Sequence, residues 1–254
     1  MQLKRRDLDA INARLESRAP VEILAWARDT FGARAAILSS MQRAGSVLCH
    51  MADRAALGFD VLFVDTGVLH PETLATRDAL AKSHPHLQVK TLTPERSLLE
   101  QTQQEGLLYL SKEGQERCCD LRKSAPLRAL RGRYDALISA LRRDEGGARG
   151  RIGVLELDHE LNALRVHPFA ALTREQLEAY EREHSDVVIN PLHQLGFPTI
   201  GCYTCTTPVL PDEPERAGRW RHLATVAYCG INPTDRGPQD RAIELDDSYR
   251  ARLS

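Results

Sequence analysis

Long hydrophobic runs are missing from this 254-residue chain. No stretch approaches the roughly 20 apolar residues that a membrane-spanning helix needs. The start, Met1-Gln2-Leu3-Lys4-Arg5-Arg6-Asp7, carries charge with no apolar run behind it. The expectation is a soluble, cytoplasmic protein with no membrane partner. Excess charge is missing too: a formal net charge of -1 gives no support for wholesale binding to a phosphate backbone. No nucleic-acid partner is expected, and any basic site must be a local cluster. Lysine is scarce, with five residues (4, 82, 90, 112 and 123) against 29 arginines, so a single lysine carries more information than a single arginine. What is present, 42% hydrophobic residues, suffices to bury a sizeable core as one large domain.

Cysteine is also sparse, but four of the six fall in two tight pairs, Cys118-Cys119 and Cys202-Tyr203-Thr204-Cys205. Four thiolates from two distant points of a chain can hold a [4Fe-4S] cluster or a structural zinc. Adjacent cysteines favour the cluster, because one tetrahedral ion needs the chain to turn between ligands and Cys118 and Cys119 leave no room for a turn. Disulfides and inert buried thiols are the plainer readings, and a reducing compartment weighs against the first.

Strand and helix patterns alternate along the chain. Pro20 to Phe31 has helical spacing and is followed by the apolar run Ala35 to Leu38, then by a second helical stretch from Ser46 to Leu57. Val61 to Val64 is another short apolar run, and Pro71 opens a helix with proline in its first turn. Val89 to Leu92 and Ala136 to Leu141 read as further buried strands, Gly153 to Leu157 with Leu164 to Pro168 as a short hairpin, and Thr173 to Glu183 as a capped helix. This order predicts an α/β fold, a mostly parallel sheet with helices on both faces, whose ligands bind beyond the carboxyl ends of the strands. The polar signals fall at those ends: Ser39-Ser40, Asp65-Thr66-Gly67 and Arg142-Arg143-Asp144. Such strand-turn-helix connections suit a phosphate or sulfate, although each alone is also an ordinary polar loop.

From Gly201 onward five prolines (208, 211, 214, 233 and 238) and no clear period predict loops and a mobile C-terminal tail. Residues 1–205 are therefore expected to form a single α/β domain and 206–254 a C-terminal loop and tail. The tail holds Cys229, followed by Gly230. A cysteine there can reach into a site and leave it again, which suits a nucleophile as well as it suits an incidental surface thiol. Cys49, inside a helical run, reads as a small core residue.

The run Cys118-Cys119-Asp120-Leu121-Arg122-Lys123-Ser124-Ala125-Pro126-Leu127 resembles the cluster-binding signature of assimilatory adenylylsulfate reductases, members of the sulfonucleotide reductase family. Further segments match the family in the same order: Asp65-Thr66-Gly67 through Pro71-Glu72-Thr73, Leu141-Arg142-Arg143-Asp144, Asn190-Pro191-Leu192 through Gly196-Phe197-Pro198-Thr199-Ile200-Gly201-Cys202, and Arg216-Ala217-Gly218-Arg219-Trp220.

The resemblance implies an adenine nucleotide alpha-hydrolase-like fold and reduction of adenylylsulfate to sulfite and AMP. Cys229 matches the family's nucleophile, which takes up the sulfonate as an S-sulfocysteine that thioredoxin or glutaredoxin then cleaves. The [4Fe-4S] cofactor would rest on Cys118, Cys119, Cys202 and Cys205 and keep its oxidation state. Ser39, Ser40, Asp65, Thr66, Gly67, Lys123, Arg142, Arg143, Arg216 and Arg219 would bind the substrate, with Lys123 between cluster and nucleotide. A homo-oligomer is compatible with the sequence, which does not fix the oligomeric state.

The chain departs from the family pattern in three places. Ser39-Ser40-Met41-Gln42-Arg43-Ala44-Gly45-Ser46 displaces the phosphate-loop glycine and drops its acid, leaving Gln42 and Arg43 as replacement donors for a sulfate. Tyr228-Cys229-Gly230-Ile231-Asn232 lacks the acid and the histidine that flank the nucleophile, and Glu145-Gly146 replaces a Gln-Ser pair. A divergent cluster-containing paralogue that uses the 3'-phosphorylated nucleotide or another adenylated substrate, or binds a nucleotide without reducing it, stays open as the alternative.

Overall fold

The computed structural model describes residues 1–223, 231 and 241–253. A short strand β1 (Gln2–Leu3) leads into helices α1 (Asp9–Leu15) and α2 (Pro20–Phe31). The alternating part follows: β2 (Ala35–Leu38), α3 (Arg43–Arg54), β3 (Asp60–Val64), α4 (Pro71–Ser83) and β4 (Gln88–Leu92). Helices α5 (Leu98–Glu105), α6 (Lys112–Cys119) and α7 (Ala125–Arg128) precede β5 (Ala136–Ile138), with a π-helical turn at Asp120–Ser124 between the last two helices. β6 (Leu155–Asp158), β7 (Ala163–Val166), α8 (Arg174–Glu183), β8 (Ile243–Glu244) and α9 (Arg250–Leu253) complete the chain.

The central sheet has the order β4-β3-β2-β5-β7-β6, parallel throughout except for β6, which runs antiparallel to β7. Its strands are apolar on both faces because successive side chains point to opposite sides. Ile37, Val61, Phe63, Ile138 and Val166 pack into one core with α1 to α3 and α8, while Ala36, Leu38, Leu62, Val64 and Leu137 pack into a second with Leu127 and Tyr134. The expected mostly parallel α/β sheet is thus observed, and the expected hairpin supplies its β6-β7 end.

Two local differences matter for the site. The helix expected from Ser46 begins three residues earlier, at Arg43, because Gln42 is extended (φ -93°, ψ 164°) and Ser46 lies buried inside the helix rather than capping it. At the other end of the chain, residues 241–253 form structure: β8 pairs with β1, and the Tyr249 hydroxyl donates to Asp135 at 2.6 Å. The remaining tail positions, 224–230, 232–240 and 254, lie outside the described residues, and Cys229 is among them.

Candidate active site

Strand order reverses between β2 and β5: the chain continues outward from β2 to β3, whereas β5 lies on the other side. Crevices at such a switch point, beyond the carboxyl ends of the strands, are where parallel sheets bind ligands. A cavity of about 820 Å³ opens there, lined by Ser39, Ser40 and Gly45 from one side and Ser139, Leu141 and Arg142 from the other.

The β2-α3 connection shows how the altered phosphate loop is built. Met41 sits in the left-handed region (φ 55°) and is fully buried, and its N–H donates to the Ser39 hydroxyl at 3.2 Å. A Cβ on Gly45 would stand 2.7 Å from that hydroxyl, so the displaced glycine lets the first turn of α3 close onto Ser39. Gln42 and Arg43 line the cavity, but their side chains are already engaged. Gln42 Oε1 accepts from the Ile200 N–H (2.8 Å) and its Nε2 donates to Ser40 (2.9 Å), while the Arg43 guanidinium pairs with Glu181 at 2.9 Å. Ala44 and Gly45 both line the cavity, and their first-turn N–H groups have no acceptor within the helix.

Of the substrate residues expected from sequence, Ser39, Ser40, Thr66, Lys123, Arg142, Arg216 and Arg219 line this cavity, whereas Asp65, Gly67 and Arg143 do not. Asp65 closes a turn by accepting from the Gly67 N–H at 2.8 Å. Gly67 (φ 72°) leaves space for Arg122, whose Nη2 would lie 2.9 Å from a Cβ there. Arg143 points away, donating from Nε to the Ile152 carbonyl (2.8 Å) and pairing with Glu16. Arg142, by contrast, is buried and held by Asp144 at 2.8 Å. Arg219 stacks over the Trp220 ring, 4.5 Å from its centroid, with Arg216 at 5.8 Å. Arg149 and Arg174 also line the cavity and were not anticipated, since in a chain with 29 arginines nothing marks them. With Arg43 they bring the lining cations to seven against four carboxylates (Asp144, Glu145, Glu213 and Glu215), so the cavity favours an anion.

The second cavity is small, about 10 Å³, and Cys118, Cys119, Cys202 and Cys205 all line it. The π-helical turn that follows Cys119 carries an extra residue per turn and buries Arg122, Lys123 and Ser124 together. The sulfurs are hydrogen-bonded: Cys118 accepts from Gln101 (3.6 Å), Cys119 from Gln115 (3.0 Å) and Cys205 from Thr204 (3.6 Å), and Cys202 shares a bond with Thr66 (3.2 Å). Burial pushes the thiols of Cys118 and Cys205 up, opposed by these hydrogen bonds and by nearby Lys123. All five described cysteines are free. Lys123, itself buried, lines both cavities. Cys49 is enclosed beneath Ser39, and burial pushes its thiol up to about 12, so it is inert near neutral pH. Ile231, two residues beyond Cys229, lines the wide cavity, and its carbonyl accepts from the buried Arg165 at 3.1 Å.

Among the described residues, no three His, Cys, Asp or Glu side chains are grouped to hold a single metal ion, and no helix is long and apolar enough to cross a membrane. A tetrahedral zinc with bonds of about 2.3 Å would need its sulfurs within about 3.8 Å of one another. A four-iron cluster takes one sulfur at each of four separate irons and is met by a wider set.

Comparison with known proteins shows the family and the fold. The adenosine 5'-phosphosulfate reductase of Streptomyces coelicolor is 40% identical over 218 residues, covering 86% of this chain and 90% of the relative. The phosphoadenosine 5'-phosphosulfate reductase of Gloeobacter violaceus is 33% identical over 234 residues, covering 91% and 96%. The phosphoadenylyl-sulfate reductase of Candida auris, solved as a phosphate complex, shares the fold with a TM-score of 0.68 at 23% identity, covering 82% of this chain and 99% of that one. Residues 34–208 match the model of the phosphoadenosine phosphosulfate reductase domain, and with these relatives the chain belongs to that family.

Proposed function

We propose that this protein reduces adenylylsulfate to sulfite and AMP in sulfate assimilation, with Cys229 as nucleophile. The observation that carries the reading is the position of Lys123, one buried cation shared by a wide cavity lined mainly by cations and a four-cysteine cavity. The Cys229 thiolate attacks the sulfate sulfur, a sulfur–sulfur bond forms, and the bond from sulfur to the phosphate oxygen breaks with AMP as leaving group. A reduced thioredoxin or glutaredoxin then attacks the S-sulfocysteine; sulfite leaves, and the carrier's second thiol resolves the mixed disulfide, returning Cys229 and oxidising the carrier. Arg142, Arg216 and Arg219, with the first-turn N–H groups of α3, neutralise the phosphosulfate and the departing AMP.

Cys118, Cys119, Cys202 and Cys205 would hold a [4Fe-4S] cluster: the four thiols line one cavity, and Lys123 offsets the charge of the Cys118 and Cys205 thiolates. When bound, that group supplies structure and electrostatic field rather than electrons. Both cysteine pairs are present, which supports adenylylsulfate over its 3'-phosphorylated form, as do the names of the more similar relatives. A cytoplasmic setting, where thiol carriers are kept reduced, fits this chemistry.

The test is anaerobic incubation of purified protein with adenylylsulfate and reduced thioredoxin, following sulfite and AMP. Equal yields of both are expected, with far slower turnover of the 3'-phosphorylated nucleotide. Adenylylsulfate recovered intact would overturn the reading.

A further inference from the structure

The segment Asn190 to Ile200 grips the β2-α3 connection at three successive residues. Asn190, fully buried, donates to the Met41 carbonyl (3.3 Å) and to Thr73 (3.0 Å); His193 Nε2 takes the Arg43 N–H (2.9 Å); and the Ile200 N–H donates to Gln42 (2.8 Å). Two residues later the same segment delivers Cys202 to the small cavity. His193 differs from the other two grips because its ring can play only one role. The Phe197 carbonyl, 2.8 Å from Nδ1, can only accept, so Nδ1 carries the proton. The Arg43 N–H can only donate, so Nε2 must present a lone pair. An imidazolium would set two donors against each other.

We infer that His193 is a positioning residue for substrate binding: as a neutral imidazole it fixes the first turn of α3 so that the N–H groups of Ala44 and Gly45 stay aimed at the anion in the wide cavity. His193 lines that cavity as well. Burial and the neighbouring Arg43 lower its pKa to about 4, which keeps the acceptor available at working pH. The role rests on the proposed reading of the cavity as a sulfonucleotide site, and it concerns how tightly the nucleotide is held rather than the transfer of the sulfonate.

Two substitutions separate the two ends of the ring. His193→Asn retains a group near Nδ1 that can donate to Phe197 and leaves the Arg43 N–H without an acceptor. His193→Gln places an amide oxygen near Nε2 and restores one. In the protein carrying its iron, His193→Asn should raise KM for adenylylsulfate about tenfold, the factor carried by one lost hydrogen bond, with kcat within about twofold. His193→Gln should bring KM back to within about threefold of the unaltered protein, and iron content should be equal in all three. An unchanged KM in His193→Asn, or equal losses in both variants, would overturn the inference. A fall in kcat with loss of iron would do the same, since it marks a general structural role. If the unaltered protein fails to release sulfite, the proposed function falls; if it turns over and only the variant pattern fails, the inference alone falls.

Discussion

The wide cavity surrounds its space with guanidinium groups, several of them steadied by an acidic neighbour: Arg142 by Asp144, Arg149 by Glu145, Arg174 by Glu178. The small cavity surrounds its space with thiols that are hydrogen-bonded to two amides and two hydroxyls, with Arg122 and Lys123 beside them. Pre-paired arginines hold their places before a ligand arrives, so an anion meets an organised field and little side-chain freedom is lost on binding. The thiols of Cys118 and Cys205 have the opposite property, since burial pushes them up and they resist deprotonation until positive charge is supplied. The first cavity is matched to an anion, and the proposed cluster would supply that positive charge in the second. Lys123, at the boundary, is attracted both to an anion in the wide cavity and to the thiolate forms of Cys118 and Cys205 in the small one.

That contrast is broken most completely from the thiol side. Cys202→Ser should leave anaerobically purified protein without its brown colour and with well under the expected four irons per chain, and sulfite formation should stop. Cys229→Ser should also stop sulfite formation yet keep the iron, because Cys229 stands outside the four-cysteine set. Intact-mass measurement after adenylylsulfate should then show a sulfonate adduct on the unaltered chain alone, removed by thioredoxin. A colourless unaltered protein carrying one zinc per chain would remove the distinction between the cavities.

The shared residue comes next. Lys123→Ala removes a charge-assisted bond worth about 1.5 to 3 kcal/mol, so adenylylsulfate binding should weaken roughly 10- to 100-fold while adenosine binding barely changes. Isothermal titration with both ligands reads this directly. Equal losses would make Lys123 a purely structural residue. Arg219→Ala should move the same way.

Protonation separates the cavities by a smaller amount. Burial lowers His193 from about 6.5 to about 4, so between those values the unfolded chain holds a proton there that the folded chain does not. Stability must therefore fall as pH drops through that window, and at pH 5 the loss from this group relative to pH 7 is on the order of 2 kcal/mol. His70 and His84, both lowered by burial, push in the same direction, so the useful quantity is the difference between the unaltered protein and His193→Gln. Denaturant titrations at pH 7 and pH 5 should show a shallower acid loss for the variant. A parallel loss would mean that the ring is not held neutral.

How much of this was legible in the sequence follows residue rarity and pattern. Six cysteines and five lysines made Cys118, Cys119, Cys202, Cys205 and Lys123 stand out, and the short apolar runs and the helical spacing located β2 to β4 and α2 to within a residue or so. The region from Leu98 to Arg128 was not readable as three helices and a π-helical turn, because its buried side chains include the amides Gln101 and Gln115, which look like surface residues until a sulfur is found beside them. The pairing of β1 with β8 joins two-residue strands from opposite ends of the chain, too short for any period to show. Arginines were the hardest: Arg149 and Arg174 were missed and Arg143 was chosen, since side-chain direction within a loop is decided by distant partners.

Arg142 and Arg143 give the sharpest version of that last point, as neighbours that the sequence treats alike. Arg142 is buried against Asp144 and lines the wide cavity, whereas Arg143 is about a third exposed and pairs with Glu16 on the far side of the loop. Glu16 is correspondingly held below the usual carboxylate range, first by its hydrogen bond from Arg143. Exposed pairs of this kind contribute about 0.2 to 1 kcal/mol, so Arg143→Ala should lower stability by no more than that and leave KM for adenylylsulfate unchanged. Arg142→Ala should instead raise KM about tenfold. Were Arg143→Ala to weaken adenylylsulfate as much as Arg142→Ala, the boundary drawn around the anion cavity would be misplaced, and the Arg143–Glu16 pair would have to open when the nucleotide binds.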